Sequence, residues 1–111
     1  MAKRLLYSPY FIVFDGIQNP DVSSGIDVSN ATEVTAFVEY DANVTGGPVL
    51  LQSAPEQNYA GTWATEASST GAASSTDRMT AKDGVLLWVR IDASGITGGK
   101  AKVWLNAWTE I

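Results

Sequence analysis

Apolar and polar positions alternate along much of this chain with a period of two. Val34, Ala36, Val38 and Tyr40 are separated by Thr35, Phe37 and Glu39, the pattern of a strand with one face buried and the other wet. Val85, Leu87, Val89 and Ile91 alternate with Leu86, Trp88, Arg90 and Asp92. Ala101, Val103, Leu105 and Ala107 alternate with Lys100, Lys102, Trp104, Asn106 and Trp108. Shorter strands are expected within Arg4 to Phe14, near Ile26 and Val28, from Val49 to Ser53, and from Thr62 to Thr65. Pro9 has no N–H to give to a ladder, so it marks an edge, a bulge or a break between two short strands. Turn signals punctuate the runs, among them Asp15-Gly16, Asn19-Pro20, Thr45-Gly46-Gly47-Pro48 and Pro55.

About seven or eight short strands and no helical period predict an all-β chain, a single-domain antiparallel β-sandwich that is jelly-roll-like and spans residues 1–111. Residues 1–14 are a candidate N-terminal arm. Residues 66–84 are rich in Ser, Thr, Ala and Gly with little to bury. They are expected to form a long flexible loop, either solvated or ordered on a neighbouring subunit. The strands at 85–92 and 100–108, with Gly95, Gly98 and Gly99 between them, read as a hairpin. Its aliphatic face suits a core. Its other face gathers Trp88, Trp104 and Trp108 with Arg90, Lys102 and Asn106. Each Trp buries on the order of 200 Å² when covered, and such a patch left in water is an association hazard. Trp88, Trp104, Trp108, Arg90 and Lys102 are therefore the candidate interface. The readings left open are cover by the chain's own loops, an inverted core face, a subunit interface, and a ligand platform. A one-residue slip in pairing would turn the tryptophans inward.

Composition sharpens this. Hydrophobic residues make up 45% of the chain and charged residues 17%, below the usual quarter. Sparse charge together with four tryptophans points to surface covered by another copy or a partner. The net charge of -5 opposes the counterion-release term of nucleic-acid binding, so no nucleic-acid partner is expected. The opening Met1-Ala2-Lys3-Arg4-Leu5-Leu6 is superficially like a signal peptide. Tyr7, Ser8 and Pro9 interrupt it, and Asp15 stands where a small-residue cleavage site belongs. Neither a signal peptide nor a membrane partner is expected, since no apolar run approaches a span.

Without Cys or His, the chain lacks the residues of Ser-His-Asp and Cys-His catalysis and of most zinc and redox-metal sites. The expectation is a protein that is not an enzyme and takes no cofactor and no metal. Glu33, Glu39, Asp41, Glu56 and Glu66 offer carboxylate pairs, but none at a diagnostic spacing. Asp77, Asp83 and Asp92 match no calcium loop. Gly95, Gly98 and Gly99 fall in a turn, not before a helix, and suit positive φ angles. Asn30-Ala31-Thr32 and Asn43-Val44-Thr45 match glycosylation sequons by chance.

The run Val34-Thr35-Ala36-Phe37-Val38-Glu39-Tyr40, then Gly61-Thr62-Trp63-Ala64, Val89-Arg90-Ile91-Asp92 and Gly98-Gly99-Lys100-Ala101-Lys102-Val103-Trp104-Leu105, resemble in style the small β-sandwich virion proteins of tailed bacteriophages, notably capsid decoration or cement proteins. The resemblance spans about two-thirds of the chain and rests on no single motif. It implies a structural protein made in the bacterial host cytoplasm and assembled into the virion. Such a protein forms a homo-oligomer, with a trimer favoured, that sits on the major capsid protein or another virion protein and reinforces the head shell. It implies no catalytic or cofactor residues. Tail or neck proteins have similar sandwiches and are the first alternative. A carbohydrate-binding module, with the tryptophans stacking on sugar rings, is the second.

Overall fold

The structure, a computed structural model, describes residues 3–5, 11–17, 22–28, 31–82 and 88–110. Among them are nine strands: β1 (Lys3–Leu5), β2 (Phe11–Ile17), β3 (Ile26–Asp27), β4 (Glu33–Tyr40), β5 (Val49–Ala54), β6 (Ala64–Ser69), β7 (Thr76–Lys82), β8 (Trp88–Asp92) and β9 (Ala101–Glu110). The strands expected at Val34 to Tyr40 and Lys100 to Trp108 are present as β4 and β9, and that expected at Val85 to Asp92 is present from Trp88 as β8, Val85, Leu86 and Leu87 lying outside the described residues. Pro9, expected at an edge, a bulge or a break, lies outside the described residues.

The strands form two antiparallel sheets. In the first, β9 lies beside β4 and β4 beside β7, while the other edge of β9 takes β2 opposite Ala101–Leu105 and β1 opposite Trp108–Glu110. In the second the order is β3-β8-β5-β6. Strand β5 pairs with β6, β4 with β7, β3 with β8 and β2 with β9. The chain is thus one long hairpin, centred on the β5–β6 connection and rolled over on itself, which is the jelly-roll arrangement of a β-sandwich.

The alternation seen in the sequence sets what lies between the sheets. Val34, Ala36, Val38 and Tyr40 of β4 and Ala101, Val103, Leu105 and Ala107 of β9 point inward, with Met79 and Ala81 of β7. Val49 and Leu51 of β5 and Val89 and Ile91 of β8 meet them from the second sheet, and Val28, Val44 and Ile96 close the ends. A fully buried aliphatic side chain of this size is worth roughly 1.5–3 kcal/mol. The polar link across this core is between the Tyr40 hydroxyl and the Ser69 hydroxyl, on strands of opposite sheets.

Three expectations need correction. Residues 66–82 are not one long loop: β6 runs to Ser69 and β7 from Thr76 to Lys82, leaving residues 70–75 as the connection, while residues 83 and 84 lie outside the described residues. Both are edge strands whose inward positions hold Ala67, Ser69, Met79 and Ala81, with Met79 the one large apolar side chain among them, too few to stand out as a hydrophobic pattern. The described parts of residues 1–14 are strands laddered onto β9, not an arm. Finally, β8 and β9 do not form a hairpin. They belong to opposite sheets, because rolling the long hairpin pairs β8 with β3 and β9 with β2. The glycine-rich segment between them crosses from one sheet to the other.

That crossing packs backbone against backbone. Gly47 has φ 102° and Gly71 φ 72°. A Cβ on Gly47 would fall on the Gly95 carbonyl, and one on Gly71 on the Gly47 carbonyl. Thr45 N–H donates to Thr97 O at 2.8 Å and Thr97 N–H to Gly46 O at 3.0 Å. The β4–β5, β6–β7 and β8–β9 connections are thereby joined at one end of the sandwich.

Candidate functional site

The sequence reading correctly sorts the faces of β8 and β9, but the fold separates them. Val89 and Ile91 are inward and Trp88 and Arg90 outward on the second sheet; Val103, Leu105 and Ala107 are inward and Lys102, Trp104 and Trp108 outward on the first. The five candidate residues therefore lie on opposite outer faces of the sandwich, with Trp104, Trp108 and Lys102 on one and Trp88 and Arg90 on the other. One platform of three tryptophans does not form.

On the first sheet, register extends the aromatic group beyond the residues picked from the sequence. Trp104 lies opposite Phe37 of β4, which lies opposite Arg78 of β7. Phe37 and Trp104 meet edge to face, centroids 5.7 Å apart at 61°, a geometry favoured by the ring quadrupoles. Lys102 Nζ stands 4.8 Å from the Trp104 ring centroid, within cation–π range, and its register partner is Glu39. Phe37 is 41% exposed, one of two exposed large hydrophobic side chains among the described residues, with Tyr59. Trp104 and Trp108 are half-buried. The outer face thus carries a cross-strand row Arg78–Phe37–Trp104 with Lys102 beside it. Phe37 and Arg78 were missed by the sequence reading. The available signal was an aromatic residue between Thr35 and Glu39 on the polar side of β4.

Asn106, between Trp104 and Trp108, is buried, and among the described residues its Nδ2 has no hydrogen-bond partner. Its Oδ1 accepts the Ala107 N–H at 2.9 Å. The register bears on this contact: β2 pairs up to Leu105 and β1 from Trp108, so among the described residues no strand pairs with Asn106 and Ala107 on that edge. The side-chain carbonyl takes the place of a strand acceptor there.

The other outer face is organised by the β5–β6 connection. Gln57 of that connection donates to Gly25 O beside β3 at 3.3 Å, and a Cβ on Gly25 would lie 2.6 Å from Gln57 O. Trp63, at the end of the same connection, is buried and donates through Nε1 to Tyr59 O at 3.1 Å. The Arg90 guanidinium carbon sits 4.5 Å from the Trp63 ring centroid. Arg90 Nε–H donates to Gln52 Oε1 at 2.8 Å, and Gln52 Nε2 donates to Thr65 Oγ1 at 3.3 Å. Arg90 was expected beside exposed tryptophans of a hairpin. Its aromatic partner is instead Trp63, from outside the candidate set. Among the described residues no group of three or more acidic side chains is placed to hold a metal ion.

No family model matches the chain and no curated protein matches it. Among solved structures, the crystal structure of the SPBc2 prophage-derived protein YomS is similar, with a TM-score of 0.68 over 98% of this chain and 96% of that one, at 12% identity. At that identity the likeness is one of fold, and it extends over the whole sandwich.

Proposed function

We propose that this chain is a non-enzymatic structural protein of a phage virion, acting by burying surface on copies of itself and on a neighbouring virion protein. The observation that carries the reading is the outer face of the first sheet, where Phe37, Trp104, Trp108, Lys102 and Arg78 form an aromatic and basic row on a rigid platform of paired strands. Aromatic residues and Arg are enriched where interfaces concentrate their binding energy. The fold shared with a prophage-derived protein supports the phage setting. Within that setting we favour a capsid decoration role as a homotrimer on the major capsid protein. Many weak contacts repeated over a symmetric shell add by avidity and need no deep pocket.

Light scattering of the purified protein tests this first. A symmetric oligomer is expected, at three times the 11.8 kDa of the chain for a trimer. Phe37→Ser with Trp104→Ser should return it to a monomer with an unchanged far-ultraviolet spectrum. Co-sedimentation with isolated heads, and not with tails, is expected for the decoration role. A wild-type monomer whose tryptophan fluorescence responds to glycans would sink the structural reading and favour a carbohydrate-binding module.

A further inference from the structure

Arg90 combines three features on its sheet face. Its guanidinium carbon lies over the buried Trp63 ring, 4.5 Å from the centroid. Its Nε–H is committed to Gln52, whose own amide is held by Thr65. No carboxylate among the described residues forms an ion pair with it, and its side chain is half-exposed. Stacking and the Nε bond absorb the rotational freedom that an arginine ordinarily loses on binding. They leave the two terminal amino groups, the parallel donors that match the two oxygens of a carboxylate.

A purely structural role for Arg90, covering Trp63, explains the stacking. It does not need the Gln52–Thr65 relay, which fixes rotation about the long axis of the side chain and so aims the outer N–H groups. The flanking chemistry also selects the ligand. Trp63 and the half-exposed Trp88, two positions from Arg90 on the same face of β8, make an apolar surround suited to a small planar anion more than to a bulky, strongly hydrated one. We infer that Arg90, held by Trp63 and Gln52, is a preformed receptor for a carboxylate group. The carboxylate can belong to an acidic side chain of a second copy, since Asp and Glu outnumber Lys and Arg twelve to seven in this chain, or to a free small organic acid. The inference stands on the geometry at Arg90 and does not depend on the oligomeric reading above.

The test follows the arginine side-chain N–H signals of the full chain by nitrogen-15 NMR, in a titration with sodium acetate against sodium chloride at matched ionic strength, and in a dilution series without acetate. Arg90→Lys assigns the signal and keeps the charge while removing the fork. A shift of the Arg90 signals with acetate, absent with chloride, identifies a free carboxylate as ligand. A shift of the Arg90 signals on dilution that added acetate suppresses, while backbone signals away from the site stay in place, identifies a carboxylate of a second copy. Gln52→Leu, which removes the aiming bond and leaves charge and stacking, should weaken either response at least several-fold. Arg90 signals that follow neither acetate nor protein concentration would overturn the inference, whatever the oligomeric state proves to be.

Discussion

At Tyr40 a polar group has been built into an otherwise aliphatic core. The residue is the last inward position of β4, and its hydroxyl reaches Ser69 of β6 on the facing sheet. Burial raises its pKa above the ordinary tyrosine value, partly offset by the bonds to Ser69 and to the Gly71 backbone. The folded state therefore holds the phenol proton more tightly than the unfolded chain does. This contribution is intact below the ordinary tyrosine pKa of about 10 and is lost as the pH rises from there through the folded value. Tyr40→Phe should lower stability at neutral pH by about 1–3 kcal/mol, because Ser69 is left without its buried partner. It should also flatten the alkaline loss relative to wild type. Urea midpoints at neutral pH and above the ordinary tyrosine pKa check both, and parallel alkaline curves for the two proteins would refute the second.

The connections, as elements, carry much of the specification. Glycine at 47 is required twice over, by φ 102° and by the Gly95 carbonyl lying where a Cβ would go. Its neighbour Gly46 would present a Cβ only to Thr97 Oγ1, at 3.6 Å. Gly47→Ala should therefore cost at least about 2 kcal/mol, and Gly46→Ala no more than about 0.5 kcal/mol. Thermal melting of the two single variants makes the comparison, and equal losses would mean that the stacked connections at this end of the sandwich relax. The same contact explains why a glycine-rich segment that suggests a hairpin turn serves here to cross between sheets. Its glycines permit backbone contact with a neighbouring connection, and the local sequence does not reveal which one.

Over the whole molecule, pairing is almost entirely between strands distant in sequence. Of the strands paired among the described residues, β5 and β6 alone are consecutive; β2 and β9 meet from far apart in the sequence. Loop-closure entropy must be met before such contacts reward it, so refolding should occur in milliseconds to seconds, not microseconds. Stopped-flow refolding followed by tryptophan fluorescence measures it, and a microsecond phase that recovers the full signal would contradict the expectation. The same rolling of the chain gives the sandwich two unlike outer faces. One is an open sheet bearing Phe37, Trp104 and Lys102; on the other, the β5–β6 connection orders Trp63 and Arg90.

The sequence by itself determined the class of fold and the direction each alternating strand faces. Period-two patterning is local, and it is strong wherever a strand has one side in the core, as in Val34 to Tyr40 and Ala101 to Ala107. It was weak at the edges: of the inward positions Ala67, Ser69, Met79 and Ala81, Met79 alone carries a large apolar side chain, so β6 and β7 read as loop. Partner choice was beyond it. Nothing in the residues from 85 to 108 distinguishes a hairpin from two strands on opposite sheets, because both satisfy the same alternation. The tertiary structure decided that Trp88 and Arg90 lie across the core from Trp104, Trp108 and Lys102. It also brought Phe37 to Trp104 and Trp63 to Arg90, pairings set by how the long hairpin rolls and how its central connection folds back onto the second sheet.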